Sequence, residues 1–220
     1  MKKTVLRAIL PRIFRVGVLG LGVLGFSTVS VLAADATAAG DPAQGEQKAA
    51  TCTACHGPNG NSSNPEWPSL AGQHAGYLIK QLQNFKNGER VNALMSGMAA
   101  PLSEQDMLDL AAFYSTQAWQ PAGAADPELV QEGEMLFRGG DFDRGIPACT
   151  GCHSPIGGGN PSAGYPLVRG QHAKYTELQL YAFRNGERAN DPNQMMRQVA
   201  NKMSDRQIQA VASFIQGLRP

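Results

Sequence analysis

The sequence is short of cysteine and histidine, with four of each among its 220 residues. All the cysteines fall in two five-residue runs, Cys52-Thr53-Ala54-Cys55-His56 and Cys149-Thr150-Gly151-Cys152-His153. These runs use every thiol, so none is left for a separate structural disulfide or for a further reactive site. The two runs start 97 positions apart, whereas the cysteine pairs of a zinc ribbon lie within about 15–20 residues of each other. The spacing therefore disfavours a zinc site.

The sequence also lacks the alternation of apolar and polar residues that is typical of β-strands. A thioredoxin-like use of either cysteine pair needs a βαβ context, which this chain does not offer. A basic stripe is missing as well, because residues 39–220 hold 14 basic and 17 acidic side chains, a net charge of −3. Nucleic-acid binding needs clustered positive charge, so the sequence predicts no nucleic-acid partner.

Both cysteine runs fit the C-x-x-C-H pattern of covalent c-type haem attachment. The two thiols can add to the vinyl groups of the porphyrin, and the adjacent histidine then lies under the iron as its proximal ligand. The sequence thus predicts two covalently bound haems and their two iron ions. The residues expected to hold them are Cys52, Cys55, His56, Cys149, Cys152 and His153.

The first 38 residues have the pattern of an export signal. Five basic residues precede an uncharged apolar run over 16–34, and Ala36-Thr37-Ala38 offers a small-x-small cleavage site. We expect a signal peptide over 1–38 with cleavage after Ala38, although cleavage after Ala33 or Ala34 fits nearly as well. The apolar run has 19 residues, which is long enough to span a bilayer, so an uncleaved anchor is the alternative. Either form predicts an exported protein.

The rest of the sequence is a repeat. Aligning the two C-x-x-C-H runs brings further residues into register at an offset of 98 positions, which becomes 101 beyond an insertion near 189–193. The main matched segments are Gly72-Gln73-His74 with Gly170-Gln171-His172, and Asn87-Gly88-Glu89-Arg90 with Asn185-Gly186-Glu187-Arg188. The repeat predicts two homologous domains, over 39–117 and 128–220, joined by a linker over 118–127 that contains two prolines.

Helix signals dominate both domains. Asp41 before Pro42 is typical of a helix start, and apolar spacing predicts a second helix over 75–87 that Gly88 terminates. The last helix of each domain is expected to begin at a capping box. The two boxes pair Ser103 with Asp106 and Ser204 with Gln207. The sequence therefore predicts an all-α fold in which each domain surrounds one haem.

Methionine is the residue type that we expect at the second axial position of each iron. Several methionines follow each haem motif, but only one pair is shared by the repeat, since Met95 matches Met196 at the offset of 101. If both domains ligate iron in the same way, Met95 and Met196 are the distal ligands. Met98 is the alternative in the first domain. The other methionines are expected to fill the core or to lie at the surface.

The shared histidines His74 and His172 are competing candidates for the distal position, and ligation by two histidines would lower the reduction potential. Each follows its proximal histidine by 18 or 19 residues, at the start of a predicted helix. A partly exposed polar residue is the commoner explanation at such a place.

Two prolines suggest a supporting contact for the proximal histidines. Pro68 and Pro166 follow them by 12 and 13 residues, within matched segments. A proline carbonyl can accept a hydrogen bond from the histidine Nδ1–H and so fix the ring toward the iron. A simple loop proline is the alternative.

With these residues in place, the sequence resembles the cytochrome c4 family, which consists of bacterial dihaem proteins with two tandem class I cytochrome c domains. The resemblance covers nearly all of 39–220, and its specific parts include Leu136-Phe137-Arg138-Gly139-Gly140 and the Pro101-Leu102-Ser103 stretch. It implies that the four cysteines anchor the haems, that His56 and His153 are proximal ligands, and that Met95 and Met196 are distal ones.

The resemblance further implies a periplasmic electron carrier of a respiratory chain, and not an enzyme. Its partners would be a quinol-oxidising complex or another donor, and a terminal oxidase as acceptor, with loose association at the membrane. Two other functions stay open. One is a dihaem subunit docked to a catalytic partner such as a flavoprotein dehydrogenase. The other is a dihaem peroxidase, which needs an accessible distal position that the paired methionines do not indicate.

Overall fold

The structure is a computed structural model, and it describes residues 39–220. The predicted signal peptide therefore lies outside the described residues. The described part contains helices and two isolated β-bridges but no β-strand, so the prediction of an all-α fold is confirmed. Within the same part, no helix is both long enough and apolar enough to cross a membrane.

The described residues form five α-helices in each half of the repeat. The first five are α1 (Pro42–Lys48), α2 (Thr53–His56), α3 (Ala75–Asn87), α4 (Ala93–Ala99) and α5 (Glu104–Thr116). The second five are α6 (Val130–Gly139), α7 (Thr150–His153), α8 (Ala173–Asn185), α9 (Met195–Ala200) and α10 (Asp205–Gly217). Residues 117–126 contain no helix. The exact domain and linker boundaries stay predictions.

The helix ends follow from local chemistry. The Asp41 side chain accepts hydrogen bonds from the first turn of α1, and Pro42 occupies its first position. Gly88 ends α3 in the left-handed conformation, at φ 82°, which glycine adopts without steric cost. Both predicted capping boxes form, at the starts of α5 and α10. Helices α4 and α9 are too short and too weakly patterned to have been predicted.

Two glycines let helices cross at backbone contact. A Cβ atom on Gly45 of α1 would lie 2.0 Å from the Asp109 carbonyl oxygen in α5. A Cβ atom on Gly133 of α6 would lie 2.1 Å from the Ala210 carbonyl oxygen in α10. The first and last long helices of each domain therefore pack in the same way, and neither crossing leaves space for a side chain at its glycine.

Each domain has its own apolar core. The core of the first domain includes Leu78, Leu110, Phe113 and Tyr114, and the core of the second includes Phe137, Leu180, Val211, Phe214 and Ile215. Met107 and Met203 are buried, at 2% and 4% exposure, which confirms that these two methionines fill the core. Met98 is 42% exposed and lies at the surface.

The two domains meet through residues that the repeat shares. Each of two buried arginines donates hydrogen bonds to a tyrosine hydroxyl of the other domain: Arg90 to Tyr175 at 3.0 Å, and Arg188 to Tyr77 at 2.9 Å. Each guanidinium also stacks over a phenylalanine of its own domain. Burial raises the pKa of Tyr77, but the charges of Arg188 and Arg90 together with the hydrogen bond from Arg188 outweigh it, so the pKa is lowered. The matched arginine–tyrosine contacts give the interface an approximate twofold symmetry.

Candidate haem sites

Each C-x-x-C-H run forms one turn of helix. In α2 the His56 N–H donates to the Cys52 carbonyl at 3.0 Å, and in α7 the His153 N–H donates to the Cys149 carbonyl at 2.8 Å. No disulfide joins any of the four cysteines. The structure thus brings two thiols and an imidazole together on a single turn, twice, as the sequence predicted.

The predicted proximal histidines, His56 and His153, have the contact that the prolines suggested. His56 Nδ1 lies 2.8 Å from the Pro68 carbonyl oxygen, and His153 Nδ1 lies 3.0 Å from the Pro166 carbonyl oxygen. A hydrogen bond at Nδ1 fixes the ring and leaves Nε2 as the nitrogen that can bind a metal. The hypothesis of a supporting proline carbonyl is confirmed in both domains.

The environment favours the neutral form of both imidazoles. Burial lowers the pKa of His56 and of His153, and the hydrogen bonds to Pro68 and Pro166 oppose that shift without reversing it. A neutral imidazole is the form that ligates a metal ion.

Burial also raises the pKa of the Cys149 thiol to about 11.

The two matched methionines occupy equivalent short helices. Met95 is half-buried in α4, where its backbone N–H donates to the Asn92 side chain at 3.0 Å. Met196 is half-buried in α9 and packs against the core of the second domain. The neighbouring Met195 sulfur accepts a weak contact from the Tyr165 hydroxyl at 3.8 Å. The assignment of Met95 and Met196 as distal ligands stays a prediction.

The competing histidines have other partners. His74 Nε2 lies 2.8 Å from the Gly158 carbonyl oxygen, and His172 Nε2 lies 2.8 Å from the Ser62 carbonyl oxygen, in both cases in the opposite domain. Both side chains are partly exposed, which agrees with the explanation that they are polar residues at a helix start. The sequence did not predict their contacts across the domain interface. Their recurrence in both halves, next to a shared glutamine, was the signal in the sequence that could have found it.

The residues present fit a covalently bound haem. Nowhere in 39–220 do three His, Cys, Asp or Glu side chains cluster into a metal site of another kind. Each domain instead offers two thiols beside one imidazole whose Nε2 is available. In the first domain a buried hydroxyl, Tyr114 Oη, also has no hydrogen-bond partner among the described residues. Such an unpaired group is expected beside a bound group that would complete the site.

The fold and the doubled site define a c-type cytochrome with two haem domains. The family model described as Cytochrome c matches the chain twice, over residues 42–118 and 130–219. Cytochrome c4 of Thiocapsa roseopersicina is 54% identical over 181 residues, which cover 81% of this chain and 93% of that protein. The chain belongs to the cytochrome c4 family, whose members carry electrons on two covalently bound c-type haems.

Two further relatives are informative. The crystal structure of reduced recombinant cytochrome c4 from Pseudomonas stutzeri matches with a TM-score of 0.79 and 51% identity, covering 82% of this chain and all of that one. A protein named thiosulfate dehydrogenase electron acceptor, from Thiomonas intermedia (strain K12), is 42% identical over 199 residues. That match covers 88% of this chain and 89% of the relative.

Proposed function

We propose that the protein is a periplasmic electron carrier of a respiratory chain that passes electrons to a terminal oxidase through two haems with His/Met ligation. The proposed thioether anchors are Cys52, Cys55, Cys149 and Cys152, the proximal ligands are His56 and His153, and the distal ligands are Met95 and Met196. The observation that carries the proposal is the pair of matched contacts between histidine Nδ1 and a proline carbonyl, which prepares an axial ligand in each domain.

Haem supplies a one-electron iron couple when it is bound. The residues determine how that couple behaves. His56 and His153, held by backbone carbonyls, keep their ring positions in both oxidation states, so little has to reorganise. A methionine sulfur as the distal ligand raises the reduction potential, which suits acceptance of electrons late in a respiratory chain. The reciprocal contacts between the domains support exchange of electrons between the two sites.

A second candidate function concerns the donor. The relative named thiosulfate dehydrogenase electron acceptor aligns with 88% of this chain, which favours a carrier that takes electrons from a dehydrogenase partner. This agrees with the alternative of a dihaem protein that docks to a catalytic partner. The two functions share the same haem sites and differ in the protein that reduces them.

The haem assignment is tested by optical and magnetic circular dichroism spectra of the purified ferric protein, with haem quantified per chain. We expect two haems per chain, both low-spin and both with the near-infrared band of methionine ligation. One high-spin haem, or one with two histidine ligands, would contradict the His/Met proposal. A high-spin haem would also direct attention to peroxide as a substrate.

The donor and acceptor are tested by stopped-flow reduction and reoxidation. Purified thiosulfate dehydrogenase with thiosulfate is one donor, and a quinol-oxidising complex with quinol is the other. Membranes that contain a terminal oxidase serve as the acceptor. Fast reduction by the quinol-oxidising complex followed by fast oxidation by the membranes supports the respiratory function. Fast reduction by thiosulfate dehydrogenase alone supports the second candidate, and no oxidation by the membranes would contradict the first.

A further inference from the structure

The hydroxyl of Tyr114 is buried in the first domain without a hydrogen-bond partner among the described residues. The residue is only 3% exposed. Its backbone is fixed by a hydrogen bond from the Gly72 N–H to the Tyr114 carbonyl at 2.9 Å. Its ring packs closely on Gly60, where an added Cβ would lie 2.8 Å from a ring carbon. A fixed, buried and unpaired hydroxyl calls for an acceptor that completes its site.

Cys52 is the side chain placed to supply that acceptor. Its sulfur belongs to a residue that packs against the apolar cluster containing Tyr114. Burial raises the pKa of Tyr114, and the adjacent Cys52 raises it further. The tyrosine therefore keeps its proton at physiological pH. Because a thioether sulfur carries no hydrogen, the Tyr114 hydroxyl can only be the donor toward it.

The second domain lacks this hydroxyl. Ile215 takes the place of Tyr114, as its carbonyl accepts the equivalent hydrogen bond from Gly170 N–H at 2.8 Å. Cys149 packs against the cluster that contains Ile215, just as Cys52 packs against the cluster that contains Tyr114. The first cysteine of each motif thus packs against the matched cluster of its domain, where a buried tyrosine in the first domain is replaced by an isoleucine in the second.

We propose that Tyr114 tunes the first haem site by donating a hydrogen bond from its Oη to the Cys52 sulfur in the haem-loaded protein. A donor withdraws electron density from the sulfur and from the porphyrin to which it is bonded, so it favours the electron-rich ferrous state. The contact therefore raises the reduction potential of the first haem, and the second haem has no counterpart. This inference rests on the proposed assignment of Cys52 as a haem anchor.

The test is a redox titration of the full-length protein and its Tyr114→Phe variant, with the two haems distinguished by assigned haem-methyl NMR resonances. The variant removes one oxygen and keeps the ring. We expect a lower midpoint potential for the first haem and an unchanged one for the second. The matched control is Tyr181→Phe, which removes a hydroxyl from a partly exposed ring that stacks with Arg184 at 4.8 Å in the second domain. Unchanged potentials in both variants would overturn the proposal.

A second measurement needs no variant, in case Tyr114→Phe does not incorporate haem. A hydrogen bond to a thioether sulfur makes the C–S stretching band in the resonance Raman spectrum sensitive to deuterium. We expect a shift of one such band after the wild-type protein is refolded in D2O, and the absence of any shift would also overturn the proposal. A Cys52→Ala variant tests the anchor assignment separately, through its pyridine haemochrome spectrum. If Cys52 is not an anchor, the spectrum will still show two thioether bonds on each haem.

Discussion

Gln73 and Gln171 form the same pair of hydrogen bonds in opposite directions across the domain interface. The Gln73 side chain donates to the Leu167 carbonyl at 2.8 Å and accepts from the Leu167 N–H at 3.0 Å. The Gln171 side chain donates to the Ser69 carbonyl at 2.9 Å and accepts from the Ser69 N–H at 3.0 Å. Ser69 and Leu167 directly follow Pro68 and Pro166, whose carbonyls contact His56 and His153. Each domain therefore helps to fix the loop that contacts the C-x-x-C-H histidine of the other domain.

A Gln171→Ala variant tests this cross-domain support. It leaves the Ser69 backbone groups without their partner, and an unpaired buried polar group costs about 1–3 kcal/mol. We expect the free energy of unfolding in urea to fall by about that amount. The haem-methyl resonances of the first domain should also move, although the substitution lies in the second. Gln131→Ala, at an exposed position of α6, is the matched control and should change neither quantity. Resonance changes confined to the second domain would contradict the prediction.

The distal ligand is tested with Met95→Ala. If Met95 ligates the iron, the variant should lose the near-infrared methionine band from one of its two haems, about half of the total intensity for two equivalent ligands. Met98→Ala is the matched control, because Met98 lies one helical turn further along α4 and is 42% exposed. It should keep the full band. The reverse result, with the band lost only in Met98→Ala, would transfer the assignment to Met98.

Much of this protein could be predicted from the sequence because its signals are local. The C-x-x-C-H runs, the capping boxes and Gly88 act within a few residues, and the structure places each of them as predicted. Predicting the contacts of Pro68 and Pro166 required only one assumption, that the matched loop folds back onto the histidine of its own domain. The offset between the repeats added the pairing of Met95 with Met196, which no single motif contains.

The domain interface could not be predicted in this way. Gln73, His74 and Arg90 recur at the expected offset, but a repeat does not reveal whether shared residues face the cofactor, the core or the other domain. Their partners are backbone carbonyls and side chains 84–94 residues away. Such contacts depend on how two folded units dock, which hydrophobic spacing along one helix does not encode.

The glycine contact between α1 and α5 predicts an overpacked variant. Gly45→Ala would place its Cβ 2.0 Å from the Asp109 carbonyl oxygen, so the helices must separate. We expect a loss of about 1–3 kcal/mol in the free energy of unfolding, as for other overpacked cores. Gly76→Ala in α3 is the matched control, since no atom lies within 4 Å of its added Cβ. That variant should gain about 0.5–1 kcal/mol from helix propensity. A neutral Gly45→Ala would show that the two helices do not pack so closely.

An ion-pair cluster of the first domain leads to the last prediction. Lys48 of α1 lies 2.7 Å from an Asp106 oxygen and 2.5 Å from an Asp109 oxygen, both in α5. Asp109 is buried and also accepts hydrogen bonds from the Asp41 N–H and from Gln105, each at 2.8 Å. At the equivalent position the second domain has a neutral residue, Ala210. The docking of α1 is therefore tied to a buried carboxylate, whereas α6 is linked to α10 by a more exposed ion pair, Glu132 with Arg206 at 2.7 Å.

Lys48, followed by the Asp41 N–H, holds the pKa of Asp109 below its ordinary value of 3.8, against the opposing effect of burial. A lowered pKa means that the folded state binds this proton more weakly than the unfolded state does. The stabilisation is thus complete above pH 3.8 and is lost as the pH falls through the folded-state value. We expect the protection factors of the α1 amides, which compare observed with intrinsic exchange rates, to fall on acidification by more than those of the α6 amides. Asp109→Asn should lower the protection of α1 at neutral pH and reduce its acid dependence to the part that Asp106 contributes through Lys48, whereas Asp143→Asn, at an exposed site, should behave like the wild type. Equal acid dependence of α1 in both variants would show that Asp109 does not control the docking of this helix.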